Sequence, residues 1–208
     1  FTLGSAMFAN FLPNSIPRIF GKTFEVETAI LLAGIFRIIY FLLIATGLYG
    51  VLLIENIFSV ASIRTIQLFR AAKSVSFILT LLTSLFFFTT IFGLKIPFYM
   101  IGIFVFLVTH LLAFPSLWSV DLKTYEFRLL GVLSLMVALI LMLVSVSLAF
   151  WPVKPFMAGL MLTSVFYAQL GILEQRLSSR VYLEGVVEYV ITVLIVLMVG
   201  FWTTSWTG

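Results

Sequence analysis

The chain has 208 residues, of which 62% are hydrophobic and only 10% are charged. Soluble domains are about 45–50% apolar and about 25% charged, so this chain carries too little charge to cover a water-exposed surface. The mean hydropathy of +1.24 points the same way. The composition excludes an ordinary soluble domain and predicts an integral membrane protein.

The counts of two residue types exclude several classes of site. The chain has no cysteine, which excludes a disulfide framework and any zinc site with cysteine ligands. It has one histidine, His110, which excludes a bis-histidine haem or a multi-histidine metal site within this chain. We therefore expect no metal and no cofactor. The net charge of +4 fits the excess of Lys and Arg typical of cytoplasmic loops, so we expect no nucleic-acid partner.

Taken in chain order, the apolar segments predict an all-α bundle with six full spans. Each run is near or above the ~20 residues that a helix needs to cross the hydrocarbon core. The runs cover residues 29–54, 74–94, 98–118, 129–151, 155–173 and 187–206. The apolar run 1–12 reaches only ~18 Å as a helix. We interpret it as a partial N-terminal helix, either re-entrant or the remnant of a truncated seventh span, and treat residues 1–208 as one transmembrane domain.

The connections between these runs predict the orientation in the membrane. Residues 95–97 and 152–154 are short turns on one side, whereas residues 55–73, 120–128 and 174–186 form longer polar stretches on the other. The long stretches carry seven of the Lys and Arg residues and the opposite side carries four. The positive-inside rule then places the larger loops in the cytoplasm and the C-terminus outside a plasma membrane.

One cation inside a predicted span suggests a buried polar layer. Arg37 lies about ten residues into the first span, or ~15 Å at the usual helical rise. A cation at mid-bilayer costs at least ~2.5–3.5 kcal/mol, so it should face a partner or a wet cavity. The same counting brings His110, Tyr167 and Gln169 to a similar depth. These four residues predict a small-ligand site, with a snorkelling arginine and separate interhelical hydrogen bonds as the alternative.

The polar stretch before the second span predicts contact with lipid headgroups. Its three cations, Arg64, Arg70 and Lys73, recur at helical spacing opposite apolar positions. Each cation near an anionic membrane surface is worth about 1 kcal/mol. The alternative hypothesis is that the same cations bind a phosphate-bearing substrate.

Several known intramembrane catalytic arrangements are missing from the sequence. The last span has no lysine for a retinal, and the one aspartate, Asp121, lies in a predicted loop. No serine lies in a Gly-x-Ser-x-Gly setting that would pair with His110. We predict no catalytic residues, and an enzymatic activity is disfavoured without being excluded.

Several interfacial motifs resemble an uncharacterised family of multi-pass membrane proteins from candidate-phylum bacteria. The resemblance rests on the four segments 53–58, 65–75, 116–121 and 188–189, which read LIENIF, TIQLFRAAKSV, SLWSVD and EY. It extends over most of the chain from about Ala29 onward. The resemblance implies a bacterial inner membrane and carries over no activity, substrate or catalytic residue.

Three functional hypotheses follow from the sequence. The favoured one is a non-enzymatic scaffold, assembly or envelope component that contacts the lipid bilayer and another membrane protein. The alternative is a small-solute or lipid-binding transporter subunit with a polar site around Arg37. The third is an enzyme acting on lipid-linked phosphate, which would require the cytoplasmic cations to converge on one pocket.

Overall fold

The computed structural model describes residues 1–14, 18–19, 22–23, 26–61, 68–120, 127–178 and 183–204. Within these ranges the chain is almost wholly helical, which confirms the all-α fold class. The helices are α1 Thr2–Ala9, α2 Val26–Ala61, α3 Leu68–Gly93, α4 Phe98–Trp118, α5 Phe127–Ala149, α6 Pro155–Leu177 and α7 Leu183–Thr203. Two strands of two residues each, β1 Arg18–Ile19 and β2 Lys22–Thr23, pair antiparallel before α2.

Six of these helices, α2 to α7, are long and apolar enough to cross a membrane. Together with the short α1, they confirm the predicted six spans plus a partial N-terminal helix. The predicted bounds of α4 match the structure, whereas α2 extends beyond its predicted span at both ends. The difference arises because a helix continues past the membrane face as long as its residues favour it, so hydropathy alone does not fix its ends.

The two ends of the bundle differ in their connections. We call the end with the short connections 94–97 and 150–154 the turn end, and the opposite end the long-loop end. At the turn end, Lys95 has a left-handed φ of +52°, which closes the tight connection between α3 and α4. Pro97 and Pro155 then stand at the starts of α4 and α6, where a missing N–H costs nothing. Short connections of this kind join antiparallel neighbours.

The packed core lies among α3, α4, α5 and α6. Its fully buried members include Phe88, Val105, Leu141 and Phe166, one from each of these helices. The rings of Phe88 and Phe166 meet edge-on with centroids 6.3 Å apart. In a bilayer such contacts stabilise the bundle through close packing, because lipid tails are as apolar as the side chains themselves.

A glycine sets the distance between α3 and α6. A Cβ atom added at Gly159 of α6 would lie 2.9 Å from the backbone nitrogen of Thr89 and 3.1 Å from its Cα atom on α3. Real Cβ atoms essentially never come within 3.0 Å of another heavy atom, and 3.1 Å is closer than nine in ten of their contacts. The backbones of α3 and α6 therefore touch at this position, which is the typical role of a small residue between membrane helices.

The remaining helices pack around this core. Helix α7 packs mainly against α6, and α2 packs mainly against α3. Helix α1 lies along α3 and reaches α2, where Tyr40 donates a hydrogen bond of 2.8 Å to the carbonyl of Ser5. Both α2 and α7 therefore present long apolar faces outward, as lipid-facing helices do.

Candidate functional site

Arg37 lies close to the turn end of the bundle. Its guanidinium donates a hydrogen bond to the side-chain oxygen of Asn14, which follows α1. In the same segment, Phe11 contacts Gly93 at the last turn of α3. Helix α2 has 36 residues, or about 54 Å at the usual rise, which exceeds the ~30 Å of a hydrocarbon core. The contact with Asn14 therefore places Arg37 within the bundle, while its depth of ~15 Å in the membrane stays a prediction.

His110 pairs with a serine on the neighbouring helix. Its Nδ1 atom lies 3.0 Å from Ser134 Oγ on α5. The Ser134 hydroxyl also donates to the carbonyl of Gly131 at 2.9 Å. Because a hydroxyl has one proton, this assignment makes His110 Nδ1–H the donor to Ser134. No sequence pattern marks Ser134 as the partner of His110, since serine is common in apolar helices and the two residues lie on different helices.

We expect Ser134→Ala to lower the free energy of unfolding by roughly 0.5–2 kcal/mol, the range for interhelical hydrogen bonds in membranes. Unfolding in mixed detergent micelles measures this loss. The matched control is Ser147→Ala on the same helix, because the Ser147 hydroxyl bonds to Leu143 of its own helix. Equal stabilities for the two variants would show that the His110–Ser134 contact does not hold α4 and α5 together.

The other two predicted ligand residues lie on α6. The ring of Tyr167 meets Phe77 of α3 at 5.9 Å and Tyr189 of α7 at 5.0 Å between centroids. Gln169 is half-buried, and its Oε1 atom has no hydrogen-bond partner among the described residues. Arg37, His110 and Tyr167 each contact different side chains in the structure. A ligand site that these three residues share with Gln169 stays a prediction.

The structure describes the side chain of only one of the three cations that were predicted to contact lipid headgroups. Arg64 and the side chain of Arg70 lie outside the described residues. Lys73 lies on α3, with its Nζ atom 3.6 Å from Glu174 Oε2 on α6. The two side chains are 21% and 19% exposed, so this ion pair is largely shielded. Contact of Lys73 with a headgroup stays a prediction, and no sequence pattern indicated Glu174 as its partner.

This ion pair lies in a groove near the long-loop end. Helices α3 and α7 both pack against α6, so α6 forms the floor between them. We call this space the α3–α7 groove, and its volume is about 550 Å³. Its lining consists of Lys73, Ser74, Phe77, Ile78, Leu81, Tyr167, Glu174 and Tyr189.

A second glycine brings the α7 wall of the groove onto its floor. A Cβ atom at Gly171 of α6 would lie 2.6 Å from Cε1 and 2.8 Å from the hydroxyl oxygen of Tyr189. The Tyr189 ring therefore rests directly on the α6 backbone. From there it meets Tyr167 at an interplanar angle of 76°, an edge-to-face arrangement that aromatic rings favour.

The groove is polar at one end and apolar at the other. Lys73 and Glu174 supply opposite charges near the long-loop end, while Ile78 and Leu81 of α3 continue the wall towards the bundle centre. Within the described ranges, no three His, Asp or Glu side chains come together as metal ligands. The arrangement suits a molecule with a charged head and an apolar tail.

A second cavity of about 480 Å³ lies between α2, α3 and α4 and is lined mainly by apolar side chains. Glu55 supplies its charged group. The hydroxyls of Thr80 and Thr83 already donate to carbonyls of their own helix, which leaves them little capacity to bind a ligand. The α3–α7 groove is the better candidate site, because it holds an ion pair of opposite charges contributed by two helices.

The fold and the groove define a polytopic α-helical membrane protein. Residues 23–203 match the family described as "protein of unknown function (DUF5656)", so the chain belongs to this family. The family match confirms the resemblance to an uncharacterised family, and it includes all of the α3–α7 groove. Comparisons with curated proteins and with solved structures gave no match.

Proposed function

We propose that this protein is a non-enzymatic membrane protein that binds a lipid in the α3–α7 groove. The observation that carries the proposal is the Lys73–Glu174 pair, which lies at one end of a groove whose other end is apolar. A volume of about 550 Å³ falls in the range of small-molecule sites, which is enough for a headgroup and part of an acyl chain.

The depth of the groove favours a lipid over a water-soluble solute. Helix α3 begins at Leu68 on the long-loop side, so we place Lys73, in its second turn, at the level expected for headgroups. Leu81 lies eight residues further along α3, about 12 Å deeper. The polarity of the groove therefore changes in the same direction as that of a bilayer leaflet. A lysine at this level attracts the phosphate of a lipid headgroup.

The two roles favoured by the sequence are weaker proposals. A scaffold or assembly component would use the outward apolar faces of α2 and α7, but contact with lipid requires the same faces. A solute site around Arg37 would need that side chain to be available, and Arg37 is hydrogen-bonded to Asn14. Neither role has an observation comparable to the charged groove.

We also propose that the protein resides in a bacterial inner membrane with its long-loop end in the cytoplasm and its C-terminus outside. The support is the distribution of Lys and Arg, seven on the long-loop side against four on the turn side. In this orientation the Lys73–Glu174 pair faces the cytoplasmic leaflet.

Blocking the groove tests the proposed function. Ile78 lines the groove and its side chain is largely exposed, so Ile78→Trp should fill the space without disturbing the core. We expect the amount of lipid retained by the purified protein, measured by native mass spectrometry, to fall about tenfold, as the loss of ~1.4 kcal/mol of binding would cause.

The matched control is Leu82→Trp, one turn further along α3 on an exposed position outside the groove lining. Its retained lipid should equal that of the wild type. Equal retention by Ile78→Trp and Leu82→Trp, with both variants folded by circular dichroism, would contradict binding in the groove.

A further inference from the structure

We propose that the charged end of the α3–α7 groove selects a lipid headgroup that carries both a phosphodiester and an ammonium group, as phosphatidylethanolamine and phosphatidylcholine do. The inference rests on the proposed lipid binding and adds the chemistry of the ligand. It assigns the phosphate to Lys73 and the ammonium to Glu174 together with the aromatic side chains beside it.

The charges at this end of the groove favour a zwitterion over an anion. The Lys73 ammonium and the Glu174 carboxylate lie 3.6 Å apart, so together they form a dipole with no net charge. A zwitterionic headgroup can align head-to-tail with this dipole and satisfy both ions. A purely anionic headgroup is attracted by the Lys73 ammonium but repelled by the Glu174 carboxylate. Like charges brought together at a partly dehydrated site oppose binding.

Three aromatic rings form, together with Glu174, the proposed binding site for the ammonium group of the lipid. Phe77, Tyr167 and Tyr189 all line the groove and come from three different helices. Their centroids are 5.9 and 5.0 Å apart, so the three rings form one continuous aromatic wall beside Glu174. A cation over the face of such a ring is attracted by its quadrupole, and shielding from water strengthens this attraction.

The apolar end of the groove favours binding of an intact lipid over binding of its free headgroup. Ile78 and Leu81 extend the wall from the charged end towards the bundle centre, which gives an acyl chain a surface to follow. A soluble phosphodiester such as glycerophosphocholine has nothing to place there. We therefore assign the site to the intact lipid.

Lipid competition tests the selectivity. The purified protein is exchanged into micelles that contain equal amounts of phosphatidylethanolamine, phosphatidylcholine and phosphatidylglycerol, and the bound lipids are identified by native mass spectrometry. We expect each ammonium-bearing lipid to exceed phosphatidylglycerol by about fivefold or more, within the range that cation–aromatic and carboxylate contacts supply. Added glycerophosphocholine should not displace the bound lipid.

Two variants separate the contribution of the carboxylate from that of the aromatic rings to the preference for ammonium-bearing lipids. Glu174→Gln should reduce the preference for ammonium lipids to about equal binding, whereas the control Glu184→Gln, at an exposed position in the first turn of α7, should keep it. Tyr189→Leu keeps the carboxylate and should weaken phosphatidylcholine more than phosphatidylethanolamine, because a quaternary ammonium cannot donate a hydrogen bond to Glu174. The second variant keeps the test informative if Glu174→Gln fails to fold.

The outcomes separate this inference from the function on which it rests. A wild-type preference for phosphatidylglycerol, or an unchanged preference in both variants, would overturn the headgroup assignment and leave lipid binding in place. Displacement by glycerophosphocholine would overturn the assignment to the intact lipid. Wild-type protein that retains no lipid at all would overturn the proposed function itself.

Discussion

Replacing Gly159 with leucine is expected to lower the free energy of unfolding by about 3 kcal/mol, because overpacking at a closed interface forces the backbone to move. At this position α3 and α6 are in backbone contact, with Thr89 opposite the glycine. Even the methyl group of Gly159→Ala would meet the Thr89 backbone, so the alanine variant should show part of the loss. The helices must separate, and the core between them loosens.

Thermal unfolding in detergent, followed by circular dichroism, measures this effect. The matched control is Gly34→Leu, because a Cβ atom at Gly34 would meet no atom within 4 Å. The control should unfold close to the wild-type temperature. Similar unfolding temperatures for Gly159→Leu and Gly34→Leu would show that α3 and α6 do not approach as closely as the structure places them.

The second large effect is expected from Glu174→Leu, which removes one partner of the shielded ion pair. Lys73 would then keep its charge in the groove without a carboxylate 3.6 Å away. Breaking a fully buried pair costs ~3–5 kcal/mol. Because about one-fifth of each side chain is exposed, solvent screening reduces the expected loss to about 1–2 kcal/mol.

A double-mutant cycle isolates the pair. Lys73→Met combined with Glu174→Leu should be more stable than Glu174→Leu alone, since an apolar pair leaves no unpaired charge in the groove. The coupling energy should reach about 1 kcal/mol in mixed-micelle unfolding. A coupling energy near zero would contradict a stabilising contact between the two residues.

The helices could be predicted from the sequence because lipid imposes a simple requirement on them. Runs of apolar residues of the necessary length revealed all six spans, and prolines at the turn end marked the starts of α4 and α6. The length of α2 could not be predicted in this way. Glu55 and Asn56 predicted the end of this span, yet the helix continues through them to Ala61, because neither residue type ends a helix.

The candidate site was harder to predict because it depends on which helices touch. Lys73 and Glu174 are 101 positions apart, and their pairing follows from the packing of α3 on α6. In helices that are apolar on all sides, residue periodicity does not reveal the inward face. For the same reason, Ser134 could not be predicted as the partner of His110. Lys73 was predicted to contact headgroups from its charge and its place before the second span, and this stays a prediction.

The arrangement of the core bears on the order in which the protein assembles. All the members of its main buried cluster come from four consecutive helices, α3 to α6, whereas α7 is synthesised after them and packs mainly against α6. The core can therefore associate before α7 leaves the ribosome, with the α6 floor still open to the bilayer. Insertion of α7 would then complete the wall around a lipid already in place. A lipid acquired during biogenesis need not find an entrance into the mature protein.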